Sequence, residues 1–206
     1  MKCVMSVLDL KFLSYEFRDM QESLKCVRKF GRCLKLFPKQ VFTILVRGGK
    51  KVIKDRCDIK RGRKEFLKHT QCFSRPEVYD FNRCVDKASI ILNFVSTNAT
   101  TPELIPALCC AFYDVVDCLK RKGDEYCIDK TGPETGEYVS NTAKTVVSEV
   151  IELTCGQRKS LEDCQKHEPK WMKIFEQLGS PFEQIKPQKL GIFYPLIKVA
   201  KRLDSN

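Results

Sequence analysis

The sequence predicts an all-α fold, a disulfide-cross-linked bundle of about six or seven helices. Three observations predict it. Apolar residues recur at three- and four-residue steps through most of the chain, with no sustained period-two alternation. Prolines, glycines and hydroxyl residues bracket these stretches where helices start and stop. Twelve cysteines stand mostly 7 to 28 residues apart, a spacing that suits staples between helices. With 206 residues, 43% of them hydrophobic, the chain can bury a core without needing cross-links merely to fold.

Segment 1–14 stands outside this pattern. In "MKCVMSVLDLKFLSYEF" Lys2 precedes an apolar run that Asp9 and Lys11 interrupt, and no small-residue cleavage site follows. It is a poor export signal. We read the chain as partial or mis-started, with Cys3 the doubtful member of the cysteine set.

The helical domain is read over 15–178. Phe17, Met20, Leu24, Val27, Phe30 and Leu34 form one face of a helix over 15–37. Cys26 and Cys33 lie two turns apart on that helix. At about 10 Å they cannot bond each other, and each is a staple to a neighbour. Pro38 opens the next helix, which Gly48-Gly49 is expected to weaken or end. Cys57 falls in a basic loop region. A short helix over 60–73 turns Phe66, Leu67 and Phe73 inward and ends near Cys72. Pro76 opens another, with Val78, Phe81, Val85, Ile90, Leu92 and Phe94 inward and Cys84 on it.

"STNATTPELIP" breaks that helix. Asn98-Ala99-Thr100 is an N-glycosylation sequon in the predicted loop. Thr101-Pro102-Glu103 then starts a helix with a hydroxyl, a first-turn proline and an acid. It is expected to run to about Lys122, with Gly123 as its stop. Cys109 and Cys110 are adjacent, so they point about 100° apart and reach two different elements. Cys118 adds a third attachment, and Cys127, past Gly123, fixes the exit loop. This helix is the hub of the bundle.

Residues 131–155 are amphipathic through Tyr138, Val146, Val147, Val150, Ile151 and Leu153, with Gly156 as C-cap. Ser160 to Asp163 resembles a capping box, and Cys164 follows it. Cys155 and Cys164 thus flank a helix–helix corner. "WMKIFEQL" continues with Trp171, Ile174, Phe175 and Leu178 on one side. After Gly179, residues 179–206 hold three prolines and no cysteine and read as a loosely attached tail. Its "KLGIFYPLIKVAKRL" is expected to dock on the core in preference to a membrane surface.

So many thiols have little use in a reducing cytosol unless they bind metal. Structural zinc wants ligand pairs at two-to-four-residue gaps. There is no C-x-x-C, and the only histidines are His69 and His167, so no metal or other cofactor is expected. Disulfides place the protein in the secretory, extracellular space. No stretch of about 20 apolar residues is present, so no transmembrane segment is expected.

Net charge is +11 and its excess is local. Between Arg47 and Lys64 nine basic residues face only Asp55 and Asp58. A solvated helix end explains such a run. The functional reading is an anion-binding patch of Lys50, Lys51, Lys60, Arg61, Arg63 and Lys64.

Taken together, "CVRKFGRCLKLFPKQVFTIL", "KRGRKEFLKHTQC", "FNRCVDKA", "LCCAFYDVVDCL" and "VIELTC" resemble an arthropod group of secreted cysteine-rich helical proteins similar to insect haemolymph glycoproteins. The resemblance spans about Tyr15 to Cys164. The activities of that group are largely uncharacterised, so the resemblance implies location and architecture and no reaction. The poor export signal and Cys3 depart from it.

No nucleophile elbow, phosphate loop or metal helix occurs. His69 and His167 sit in charged segments and read as surface histidines. The expectation is a non-enzymatic extracellular binding or interaction protein of body fluid, matrix or venom. Its partner is an unknown protein or a polyanionic glycan, and nucleic acid is disfavoured. The alternative is a carrier holding a small hydrophobic ligand between helices.

Overall fold

The computed structural model describes residues 29, 31–34, 36–57, 59–72, 77–188 and 191–204. The described residues hold eight α-helices, one short 3₁₀ turn and no strand. The helices are α1 (Leu36–Cys57), α2 (Lys60–Thr70), α3 (Glu77–Asn98), α4 (Thr101–Thr131), α5 (Glu134–Thr154), α6 (Leu161–His167), α7 (Pro169–Leu178) and α8 (Phe193–Asp204). The turn spans Phe182–Gln184. The fold is therefore a disulfide-cross-linked all-α one. The helix expected over 15–37, with Cys26 on it, lies mostly outside the described residues, as does Cys3.

Gly123, expected as a helix stop, is not one, and Gly48-Gly49, expected to weaken or end its helix, does not end it. α1 runs through Gly48-Gly49 to Cys57, and α4 runs through Gly123 to Thr131. A lone glycine costs a helix only about 1 kcal/mol against alanine, and close packing can demand it. A Cβ on Gly48 would sit 2.0 Å from the Val146 carbonyl oxygen, and one on Gly123 would sit 2.5 Å from the Cα of Gly136. These glycines let helix backbones meet. The true stop after α4 is Gly132, at φ 85°. Cys127 accordingly lies on the helix and not in an exit loop.

The chain divides into two compact units, each discontinuous in sequence. One comprises Met1–Val78 with Lys120–Ser148, and the other Tyr79–Leu119 with Glu149–Asn206.

In the first unit α2 lies along α1, and the Cys72–Cys127 bridge ties the residue after α2 to α4. The second unit is built around one apolar cluster. Ile91, Leu92 and Val95 of α3 meet Leu104 and Ala107 of α4, Trp171 and Phe175 of α7, and Val199 of α8. Three bridges close it: Cys84–Cys118, Cys109–Cys155 and Cys110–Cys164. The double cysteine thus serves the end of α5 and α6 at once, as the 100° between neighbouring side chains requires.

The caps follow elementary helix chemistry. The Ser160 hydroxyl accepts from the Asp163 N–H at 3.0 Å, and Asp163 accepts from the Lys159 N–H at 3.0 Å. Both satisfy N–H groups that a helix start leaves open.

The tail is not loose. α8 buries Val199 (1% exposed) and Ala200, and Ile192, Leu196 and Leu203 pack on the same cluster. Arg202 donates to the Ser96 and Ala99 carbonyls at 2.9 and 2.7 Å, closing the end of α3. The prolines that suggested detachment sit in the connecting segment and in the first turn of α8, where a missing N–H costs nothing.

Candidate functional site: a basic face on two adjoining helices

The positive charge belongs to the first unit. Its stretches carry 25 basic and 13 acidic residues, net +12, against 12 and 13 in the second. Most of the segment read as a basic loop is helix. Lys50, Lys51 and Lys54 occupy the second half of α1, and Lys60, Arg61, Arg63 and Lys64 the first half of α2. Lys51 and Lys54 are exposed and Lys50 half-buried, and all four of the α2 residues are exposed.

Gly62 sets the spacing between these two groups. A Cβ there would lie 1.8 Å from the Asp55 carbonyl oxygen, so only glycine lets the start of α2 rest on the end of α1. Arg61 and Arg63 flank that contact.

The electrostatics run against ordinary helix design. The first turn of α2 holds no acid, and its N-cap, Ile59, makes no side-chain cap bond. Positive residues thus crowd the positive end of the helix dipole. Lys50, Lys51, Lys54, Lys60, Arg61 and Lys64 have no hydrogen-bond or ion-pair partner among the described residues. Arg63 has an interaction of its own and is the most engaged of the predicted set. Three other lysines of this unit are paired: Lys68 with Glu134 at 2.7 Å, Lys120 with Asp124 and Lys122 with Glu125 at 2.8 Å.

The same two helices share a fastener that the sequence reading missed. His69 is buried, 3% exposed, where a surface histidine was expected. Its ring stacks on Tyr138 of α5, centroids 4.3 Å apart. Arg56 of α1 donates from Nε to the Tyr138 hydroxyl at 2.7 Å, with its guanidinium carbon 4.9 Å from the ring centre. A single tyrosine therefore ties α1, α2 and α5. His69 Nδ1 is 2.9 Å from the Thr135 hydroxyl, and its Nε2 is 3.6 Å from Glu65.

Carboxylate, imidazole and hydroxyl in that order would suit nucleophilic chemistry. Thr135, however, is fully buried and shares its hydroxyl with Thr131 at 2.7 Å. A nucleophile has to meet its substrate, so we read the group as structural. His167 ends α6 in an exposed position.

Burial holds the His69 pKa below its ordinary value, the Lys68 charge adds to this, and Glu65 and Glu134 oppose it. The unfolded chain takes up a proton near the usual histidine value of about 6.5, and the folded chain resists until lower pH. His69 therefore leaves stability whole above that range and withdraws it as pH falls through it, at no more than about 1.4 kcal/mol per pH unit. Hydrogen exchange of the α2 amides should quicken from pH 7 to pH 5 relative to His69→Gln. Equal pH dependence in both proteins would refute this.

The remaining predicted residues are placed as follows. Asn98 is exposed as the last residue of α3. Cys72, Cys84, Cys109, Cys110, Cys118, Cys127, Cys155 and Cys164 are bridged, and the side chain of Cys57 lies outside what the structure describes. Cys33, expected as a staple, is exposed in a turn and has no bridge among the described residues. Among the described residues no three metal-ligating side chains come together, and no helix is long and apolar enough to cross a membrane. No known family model matches the chain, and no curated protein or solved structure matches it either.

Proposed function

We propose that this is a secreted, non-enzymatic binding protein that holds a polyanionic partner, a sulfated glycan of body fluid or matrix, on the basic face of α1 and α2. The observation behind this reading is the set of six cations on two touching helices with no partner among the described residues. Exposed charges within a Debye length of about 8 Å repel one another. A line of sulfates would relieve that repulsion and be drawn to it from solution. Among the described residues the large exposed aromatics are Tyr79 and Tyr194, neither on α1 or α2, which favours a glycan over the stacked bases of a nucleic acid. The four disulfides among the described residues favour an extracellular setting, as does the resemblance to the haemolymph group.

The test is retention on a heparin column. Changing Lys50, Lys51, Lys60, Arg61, Arg63 and Lys64 to glutamine, with Lys54 added, should abolish retention at physiological salt. The same change at Lys159, Lys166, Lys173 and Lys186 of the other unit should leave most of it. Unchanged retention in the first variant would sink the proposal.

The carrier reading keeps one observation. The indole N–H of Trp171 is buried in the second unit with no acceptor among the described residues. A ligand oxygen would satisfy it. Extra mass on the native secreted protein, lost on denaturation, would favour this reading over the glycan one.

A further inference from the structure

We propose that Asn98 is a glycan acceptor which the fold itself closes, with the C-terminal helix as the lock. The inference rests on the secretory reading above. It begins from the three residues of the sequon, each of which the folded chain engages. The Asn98 side-chain amide donates to the Phe94 carbonyl at 2.9 Å. Ala99 is 2% exposed, and its carbonyl accepts from Arg202 at 2.7 Å. The Thr100 hydroxyl and backbone N–H both bond the Glu103 carboxylate, at 2.8 and 2.9 Å.

Glu103 is itself held. Lys170 reaches it at 2.8 Å, and that bond, with the two from Thr100, lowers its pKa to about 2. The carboxylate therefore stays an acceptor throughout the physiological range, and the Thr100 hydroxyl stays occupied.

Glycan transfer needs the opposite state. The Asn98 amide nitrogen must attack the anomeric carbon of a lipid-pyrophosphate-linked oligosaccharide. The carbon–nitrogen bond forms, the carbon–oxygen bond to pyrophosphate breaks, the lipid pyrophosphate leaves, and one amide proton passes to a base of the transferring enzyme. The amide and the threonine hydroxyl must both be free, and the segment must leave the helix end to be held.

The order of synthesis supplies that interval. Arg202 lies 103 residues beyond Ala99, and Lys170 lies 67 beyond Glu103. The acceptor is made, and open, well before either lock exists. Once α8 docks, Arg202 clamps both Ser96 and Ala99, and the corner between α3 and α4 shuts. The exposed Asn98 side chain still gives an attached glycan room to project.

The experiment uses the full chain behind a supplied leader, translated into microsomes, and the same chain oxidised and folded without glycan before exposure to the transferase. The nascent wild-type chain should gain one glycosidase-sensitive glycan, and Asn98→Gln none. The folded wild-type chain should gain essentially none. Folded Arg202→Ala, checked by mass for the same number of bridges as the wild-type chain, should be modified several-fold more. Arg202→Lys, which retains a single donor group, should fall between and serves if the alanine variant does not fold. No glycan on the nascent chain would overturn the acceptor. A folded wild-type chain modified as readily as the nascent one, or an Arg202→Ala chain no different from wild type, would overturn the lock. Recovery of a fully reduced protein from its own cells would defeat the secretory reading and leave the acceptor result standing.

Discussion

Replacing Cys110 and Cys164 by alanine should lower the unfolding free energy by about 3 kcal/mol, and so should replacing Cys109 and Cys155. The two bridges leave neighbouring positions on α4 and land 9 residues apart in sequence. While one remains, the other closes an effective loop of only about ten residues, which sets that modest cost. With both gone the loop opens to the full separations of 46 and 54 residues, and roughly another 4 kcal/mol is lost. The quadruple variant should therefore lose more than the sum of the two doubles. Denaturant unfolding of the oxidised proteins measures all three. Strict additivity would mean that the adjacent cysteines act as independent staples and that α4 is not a hub.

Phe175→Ala should cost about 4 kcal/mol, the range for a fully buried aromatic. α7 has only ten residues, too few to be stable alone in water. It holds its place through Trp171 and Phe175, 2% and 0% exposed, which stand 6.1 Å apart between centroids and meet α3, α4 and α8. Removing the phenyl ring leaves a cavity in rigid packing among Ile91, Leu104 and Val199. Leu153→Ala, at a side chain 77% exposed, is the control and should fall within about 0.5 kcal/mol of wild type. The midpoint should shift without a change in slope. A loss below 1 kcal/mol for Phe175→Ala would mean that α7 is not seated as described.

The basic face shows how sequence and structure share the assignment. Charge along a segment is legible residue by residue, so Lys50, Lys51, Lys60, Arg61 and Lys64 stood out. Lys54 did not, because a count of charges says nothing of which ones lack partners. Nor did Gly62, whose role is defined by a carbonyl seven residues earlier. His69 was misplaced because its flanks are charged. Its burial comes from Tyr138, 69 residues away, and no local pattern reports that.

The same division runs through the fold. The chain alone determined that it is helical, that Ser160 caps a helix start and that the double cysteine reaches two elements. These follow from a 3.6-residue period, from orphan N–H groups at helix starts and from the angle between adjacent side chains, all properties of short segments. Only tertiary structure decided that Gly48 and Gly123 continue helices, which cysteines pair, that the chain divides into two discontinuous units and that the proline-bearing tail docks on α3. Each depends on contacts between residues distant in sequence, where a close backbone approach or a buried cluster outweighs a local propensity worth about 1 kcal/mol.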